Sequence, residues 1–407
     1  MARGFLISCD SNADSNVYRV GACVSAGFGR VWRIFVRLCG VQVRGRREQD
    51  PQDMPWFSLH YDARMIWRTK RDLPGICREL VSASEKQEWA AVARLSGLAV
   101  NRARAADGIE CSAAVEVLGE ALGRVRLASG RDLAMLAGQL IEVGASPGDA
   151  LGALSVRIAE GLELATRFPA LWGEAELPDP NEEDQAGQVM ERLVDDQPVV
   201  EAWFTVGEWV QGLLLPMQRK DVRLALPFRE RLGAALAATP EQIDRAYWLH
   251  GLLQVVDDEP LLVLDRLGER GYEVTISGIG DNFQLHTLLA AALIGDPAAG
   301  LIPGERPAPT WIAAATTGEM QPAGGISGQF NLVDATGEWI WNEGRPADIP
   351  FAEGRRVVVL DPPPYPRSWN AGRAYPLMEP ALTVDRILSP DEAAHHLARV
   401  APDQRAR

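Results

Sequence analysis

The chain has 407 residues and a formal net charge of −14, with 47% apolar and 24% charged residues. This composition is typical of a globular protein, so it excludes a wholly disordered chain and argues against a fibrous one. Generic nucleic-acid binding is not expected, because such proteins carry a basic surplus or a basic patch. No run of about 18 uninterrupted apolar residues is present, so we expect no membrane span. Five cysteines without CxxC spacing fit a reducing compartment and predict a cytoplasmic protein.

The first 53 residues differ from the rest in charge and cysteine content. They carry eight arginines and five acidic residues, a balance of +3, so residues 54–407 carry −17. They also hold three of the five cysteines, and Met54 follows directly. We therefore expect residues 1–53 to be either a disordered extension or a segment that precedes a true translation start at Met54.

Helical periodicity runs from about residue 74 to residue 257. Short connections between amphipathic segments predict antiparallel neighbours in a bundle or array, which we assign to residues 54–257. No side-chain signature recurs at a fixed period, so the pattern leaves open whether this is a repeat array. The acidic stretch at residues 173–188, with two prolines, predicts a linker or surface loop. In "RDLAMLAGQLIEVGAS" the apolar stripe consists of Leu133, Leu136, Ala137, Leu140 and Ile141.

Two further helices carry recognisable start signals. In "SPGDALGALSVRIAEGLELATRF", Ser146 is the expected N-cap and Pro147 fits the first turn. In "TPEQIDRAYWLHGLLQVV", Thr239 and Gln242 are in capping-box register, with Pro240 at the first helical position. Both patterns predict helices that begin directly after these capping residues.

After residue 257 the pattern changes from helical to alternating. "LLVLDR" and "YEVTISG" predict a hairpin, and "DNFQLHTLLAAALIG" predicts a helix capped by Asp281. "SPDEAAHHLARV" predicts a last helix with a capping box from Ser389 to Glu392. The fold class is therefore α+β, with a mixed or antiparallel sheet and one or two covering helices over residues 258–400, then a tail at 401–407. The other predicted strands are "TWIAAAT", "QFNLVD", "EWIWNEG" with Trp339 and Trp341 on one face, "RVVVLD" and "ALTVDRIL".

The stretch "VVVLDPPPYPRSWNAGRAYP", residues 357–376, carries the one resemblance to a known family. Asp361, Pro363, Pro364 and Tyr365 resemble the Asp-Pro-Pro-Tyr motif of S-adenosylmethionine-dependent amino-methyltransferases. The resemblance implies that the acid binds the target amino group and that the tyrosine stacks on the base. Pro362 lengthens the motif by one residue, which moves the tyrosine relative to the acid.

The same resemblance implies a glycine-rich turn that binds the cofactor, and "TISGIGDNF" offers Gly278 and Gly280. It also implies a parallel sheet, whereas "QFNLVDATGEWIWNEG" predicts a hairpin. The alternative interpretation of Asp361 is structural: a carboxylate that ends a strand, before a loop stiffened by prolines. Trp369 and Tyr375 would then pack this loop on the domain.

A second cluster lies at the start of the helix that Asp281 caps. Asn282 and His286 are four residues apart and share one helix face. An exposed helix N-terminus favours anions, and His286 could act as a general acid or base. The alternative is a buried, hydrogen-bonded histidine.

Two function hypotheses follow. The first is a non-enzymatic interaction or recognition protein, with a helical scaffold and a C-terminal α+β module that binds a protein or small-molecule ligand. The second is an enzyme with its site in the C-terminal domain, of which the amino-methyltransferase is the named example. No metal site is expected. Candidate catalytic residues are Asp361, Tyr365 and His286, and candidate ligand-binding residues are Gly278, Gly280, Asp281, Asn282, Trp369 and Arg373.

Overall fold

A computed structural model describes residues 71–320, 325–402 and 404 of the chain. The expected extension at residues 1–53 and the alternative start at Met54 lie outside the described residues. The division at residue 257 stays a prediction about domains, although the last helix of the first half ends at Leu253 and the first strand begins at Glu259. The α+β prediction is confirmed: helices occupy the first half, and a mixed sheet follows.

The helical half consists of α1 to α11. In chain order they are Leu73–Glu85, Trp89–Ala103, Gly108–Leu122, Leu127–Glu142, Ala150–Ala165, Phe168–Trp172, Ala186–Arg192, Gln197–Leu214, Lys220–Ala225, Arg229–Ala237 and Asp244–Leu253. Helix α8 is central, and α4, α5 and α11 pack around it. Its Trp203 and Trp209 are fully buried, and their indole nitrogens donate to the carbonyls of Pro178 and Leu127.

The predicted apolar stripe of α4 is confirmed, because all five of its residues are buried. Two predicted helix starts are wrong. Helix α5 begins at Ala150, and Gly148 before it has a φ of +45°, so the turn at residues 146–149 is not yet helical. Thr239 follows the C-terminal end of α10 instead of capping α11, since its hydroxyl donates to the Ala235 carbonyl, and α11 begins at Asp244.

The sheet holds β1 (Glu259–Asp265), β2 (Arg270–Ser277), β4 (Asn331–Val333), β6 (Arg355–Asp361) and β8 (Ala381–Ile387) in the order β4-β6-β1-β2-β8. Short β5 (Phe351–Ala352) pairs antiparallel with the start of β6, and β3 (Ile326–Ser327) pairs with β7 (Ser368–Trp369) in a separate two-stranded sheet. The predicted β1–β2 hairpin is confirmed. Strand β6 runs parallel to β1 and antiparallel to β4, so the sheet is mixed.

One helix covers each face of this sheet. Helix α12 (Asn282–Leu293) packs on the face that presents Leu261, Leu332 and Leu360. Helix α14 (Pro390–Leu397) packs on the opposite face, with Val333 and Val359. Both predicted caps are confirmed: Asp281 accepts from the Gln284 N–H, and Ser389 and Glu392 form the capping box.

Two predicted strands are wrong. "TWIAAAT" forms helix α13 (Pro309–Ala315), because alanines favour helix and a proline suits the first helical turn. "EWIWNEG" contributes a single bridge from Trp339 to Val333, although the backbone bonds of a tight turn bring the two segments together. Trp341 is outside any strand and its ring is exposed.

The two halves meet through residues 217–223, 255–258 and 374–378, and several of these residues are buried. The Arg223 guanidinium binds the Asp257 carboxylate through two hydrogen bonds of 2.9 and 2.7 Å, with side-chain exposures of 2% and 3%. Tyr375 and Met378 are part of the apolar core of the helical half. The segment that follows the proline-rich stretch therefore inserts into the helical core and attaches the sheet to it.

Candidate functional site

The start of α12 is held by backbone of the segment at residues 341–344. The N–H of Asn282 donates to the Gly344 carbonyl at 2.9 Å, and the N–H of Phe283 donates to the Asn342 carbonyl at 3.1 Å. The Gln284 N–H binds the cap carboxylate of Asp281 at 2.8 Å. Since these leading amides already have acceptors in the protein, the helix N-terminus is not an open anion site.

Asp281 is largely buried, and desolvation raises the pKa of its carboxyl, although hydrogen bonds from the Gln284 and Phe283 backbone oppose this shift. Asn282 is buried; its Nδ2 donates to the Trp341 carbonyl at 2.8 Å, while its Oδ1 has no hydrogen-bond partner. A buried amide oxygen without a donor is uncommon in folded proteins. The side chain is therefore a candidate for contact with a bound polar group.

His286 is completely buried beneath the sheet face that α12 covers. Its Nε2 lies 3.2 Å from both the backbone nitrogen and the carbonyl oxygen of Phe330, so it accepts from the N–H in one neutral tautomer and donates to the carbonyl in the other. Nδ1 has no hydrogen-bond partner. Desolvation lowers the pKa of His286 to about 4; a hydrogen bond to the Phe330 backbone opposes this shift, and the Arg367 charge adds to it. At neutral pH the imidazole is therefore uncharged, which fits the buried-histidine interpretation.

Trp369 joins His286 in the same cluster. Its indole ring packs edge-on to the imidazole with 4.8 Å between ring centroids, and it lies 5.5 Å from the Phe283 ring. The indole nitrogen is buried without a hydrogen-bond partner. Arg367 donates from Nη2 to the Phe330 carbonyl at 2.6 Å, while its Nε is buried without one. Unpaired polar atoms therefore cluster near one end of α12. They belong to Asn282, His286, Arg367 and Trp369.

Asp361 is not part of this cluster. It ends β6 opposite Asn331, in register with the Val333–Val359 pair, so its side chain is on the face that α14 covers. The carboxylate is buried and accepts from the Arg266 guanidinium at 2.7 Å. His286 is on the opposite face with Phe330, so the two candidate catalytic residues cannot act on one substrate atom in this arrangement.

Tyr365 is also apart from the cluster. Residues 362–366 are all exposed, and the Tyr365 side chain is 52% exposed. Neither helix nor strand occurs between the end of β6 and the start of β7 at Ser368. We call residues 362–366 the proline loop.

The remaining predicted ligand residues have structural contacts. Gly278 has a φ of +63°, and a Cβ there would lie 2.7 Å from the Glu379 carbonyl oxygen. Gly280 packs against Tyr375 and donates its N–H to the Gln284 side chain at 2.9 Å. Arg373 donates to the Ala314 carbonyl at 2.6 Å and to the Pro376 carbonyl at 3.3 Å, and burial lowers its pKa. These hydrogen bonds therefore connect the segment around Arg373 to α13.

The structure adds an exposed group of aromatic side chains that the sequence pattern did not single out. Tyr247 and Trp248 on α11 are 62% and 40% exposed, and their rings meet edge-on at 5.5 Å. Trp248 rests edge-on against buried Tyr375, and the Arg345 guanidinium lies 5.5 Å from the Tyr247 ring. We call Tyr247, Trp248 and Arg345 the aromatic surface. It lies where the two halves meet, and an adjacent "YW" pair on a predicted helix is the signal that could have found it.

A groove of about 710 Å³ also opens on the helical half, near the start of α4 and the start of α8. Its arginines already have partners. Arg126 pairs with Glu201 at 2.5 Å, Arg157 pairs with Glu160 at 2.6 Å, and Arg167 reaches Asp196 at 3.5 Å. Paired charges of both signs give this groove no preference for an anion or a cation.

No cluster of residues in the described ranges has the composition and spacing of a metal site. Within those same ranges, no helix combines the length and the apolar character needed to cross a membrane. No family model matches the chain, and no curated protein and no solved structure shows significant similarity to it.

Proposed function

We propose that this chain is a cytoplasmic, non-enzymatic interaction protein. The helical half serves as the scaffold, and the α+β half completes a partner-binding surface with it. The observation that carries the proposal is the aromatic surface of Tyr247, Trp248 and Arg345, which residues of both halves form together. Exposed tyrosine and tryptophan side chains beside a half-buried arginine have the composition of a binding hot spot.

The contacts around the aromatic surface support a preformed binding site. Tyr375 donates its hydroxyl to the Trp248 carbonyl at 3.0 Å, and Arg345 donates from Nη1 to Gln254 at 2.6 Å. These hydrogen bonds fix the Trp248 backbone and the Arg345 side chain before any partner binds, so less conformational entropy is lost on binding. Tyr375 is deeply packed, and burial raises its pKa to about 12.

The methyltransferase alternative receives less support from the geometry. Among the described strands, β1 and β6 form the one parallel pair, whereas the resemblance implies a parallel sheet. The Asp361 carboxylate is bound by Arg266, and the Gly278 turn is closed by the Glu379 backbone. The second oxygen of Asp361, Oδ2, is buried without a hydrogen-bond partner, but Asp361 and Gly278 lie at opposite ends of strand β1, so they do not form one site for an amino group and a cofactor.

The cysteines agree with the cytoplasmic part of the proposal. Cys77 and Cys111 are free and buried, and desolvation raises the pKa of the Cys77 thiol to about 12. Buried thiols with raised pKa values are poor nucleophiles, which fits a packing role.

Native mass spectrometry of the protein purified from its own cells tests the proposal. We expect a retained partner, seen as a discrete mass increment, that is lost from a Tyr247→Ala, Trp248→Ala double variant. The matched control is Trp89→Ala, which removes a 45% exposed tryptophan from α2 and should leave the increment in place. An increment that survives the double variant, or a purified protein that turns over a retained small molecule, would contradict the proposal.

A further inference from the structure

The proline loop has a chemistry that suits recognition by aromatic side chains. Its sequence is Pro-Pro-Pro-Tyr-Pro, and all five residues are exposed. Proline fixes φ near −65° and restricts the residue before it to extended geometry, so the loop is ordered before it binds. Proline also lacks an N–H group, so the backbone of the loop offers chiefly carbonyl acceptors.

Both ends of the loop are fixed to the α+β half. Asp361 before it is in β6 and is bound by Arg266. Arg367 after it donates to the Phe330 carbonyl, and Ser368 begins β7. An exposed segment with anchored ends loses little conformational entropy on docking, and extended proline segments are recognised by surfaces with aromatic side chains.

The aromatic surface supplies the complementary groups. Tyr247 and Trp248 are 62% and 40% exposed, and their rings meet edge-on with 82° between their planes, so aromatic surface is open to a docking segment. The Trp248 indole N–H, the Tyr247 hydroxyl and the Arg345 guanidinium are hydrogen-bond donors. A segment that has acceptors and flat proline rings, and few donors, matches these groups.

We infer that the proline loop of one copy of this chain docks on the aromatic surface of a second copy. The inference rests on the proposed function and names the partner of its surface. A second copy is the partner because the proline-rich ligand and its aromatic receptor are both exposed on the same chain. Such a contact joins two different surfaces, so it produces either a closed ring, the smallest being a two-fold dimer, or a chain of copies.

Sedimentation velocity of the purified full-length chain tests this, from about 1 µM to about 200 µM, the range in which small interfaces dissociate. We expect the average mass to rise with concentration. A loop variant, Pro363→Ala with Tyr365→Ala, and the surface variant, Tyr247→Ala with Trp248→Ala, should each stay monomeric. An equimolar mixture of the two variants should associate again, because one intact loop then meets one intact surface. Trp89→Ala should associate as the unmodified chain does.

Thermal unfolding of each variant separates loss of docking from loss of fold, and Tyr247→Phe adds a variant that keeps the ring and removes one donor. It should weaken association several-fold without abolishing it. A monomer at every concentration would overturn the inference, as would association that the loop variant leaves unchanged. Binding of a capped synthetic peptide of residues 361–367 to a chain that stays monomeric would also overturn docking between copies. In each case, native mass spectrometry that retains a partner with a mass different from that of this chain would still support the proposed function, so the two proposals fail separately.

Discussion

In the helical half, α4 and α8 approach so closely that a Cβ on Gly138 would collide with the Gly212 backbone, whereas in the α+β half α12 begins among polar side chains and carbonyls. The contact between α4 and α8 requires glycine at Gly138 and Gly212, because a side chain at either position would collide with the backbone of the facing helix. The contact at the start of α12 is specified by hydrogen bonds, and it leaves Asn282, His286 and Trp369 with unpaired buried atoms. The α4–α8 contact therefore depends on shape, while the start of α12 depends on polar contacts, and the buried His286 makes this part of the α+β half sensitive to pH.

The largest effect is expected where the two halves meet. Asp257→Ala removes the carboxylate that binds buried Arg223 and should lower the free energy of unfolding by about 3 to 5 kcal/mol, because it leaves a buried charge unpaired. Urea denaturation measures this value. The neighbouring Lys220–Asp258 pair spans the same junction at 2.6 Å but is exposed, so Lys220→Ala is the control and should leave the midpoint almost unchanged. Equal losses of unfolding free energy in both variants would contradict the expectation that the buried ion pair contributes more to stability than the exposed one.

The dependence of the helical half on shape predicts the second effect. Gly138→Ala should destabilise the protein by about 3 kcal/mol, because the added methyl group must push α4 and α8 apart. The control is Gly97→Ala in α2, where a Cβ would have no neighbour within 4 Å. That change should stabilise the protein by about 0.5 to 1 kcal/mol, since alanine is the better helix former. Differential scanning calorimetry of both variants tests whether close backbone approach specifies this half.

The α+β half should respond to acid through His286. Its folded pKa of about 4 lies below the ordinary value of 6.5, so on acidification the unfolded chain binds the proton first. This contribution to stability is present above about pH 6.5 and falls by about 2 kcal/mol between about pH 7.5 and about pH 5. Denaturation at several pH values measures it. His286→Gln should flatten the curve in this window, whereas His395→Gln, which replaces an exposed histidine on α14, should not.

The smallest effect concerns the strand end at Asp361. Asp361→Asn keeps the shape and weakens the Arg266 pair, so we expect a loss of about 1 kcal/mol in urea denaturation. Arg266→Gln, which weakens the same pair from the other side, should cost a similar amount. Calorimetry with S-adenosylmethionine provides the functional comparison, and no saturable heat is expected from the unmodified chain. Saturable binding of S-adenosylmethionine would support the methyltransferase hypothesis, with the active site in the α+β half.

Much of the fold could be predicted because local signals and burial agree. The continuous apolar runs of β1 and β6, the strand patterns of β2 and β8, and the Asp281 and Ser389 caps all hold in the structure. "TWIAAAT" failed because β-branched residues suggested a strand where alanines and Pro309 favour a helix. The "EWIWNEG" pattern failed because alternation cannot show that a segment forms one bridge.

The candidate site could be predicted only in part. His286 and Trp369 do lie together, but nothing in the sequence shows that Asp361 points to the other face of the sheet, since that depends on its register with Asn331. The exposure of Tyr247 and Trp248 could not be predicted, for a related reason. Whether an aromatic side chain on a helix is buried depends on which neighbours pack against it, and here those neighbours include Tyr375, more than a hundred residues away.

The parallel pairing of β1 and β6 bears on how the chain is made. Arg266 and Asp361, which mark the ends of the two strands, are 95 residues apart. At a synthesis rate of roughly 5 to 20 residues per second, the ribosome completes the β1–β2 hairpin on the order of 5 to 20 s before β6. Through this interval the inner edge of β1, an apolar strand with unpaired backbone groups, has no strand to pair with. The nascent chain is therefore most exposed to misassociation after the helical half is finished, and a chaperone that binds extended apolar segments would meet it at residues 259–265.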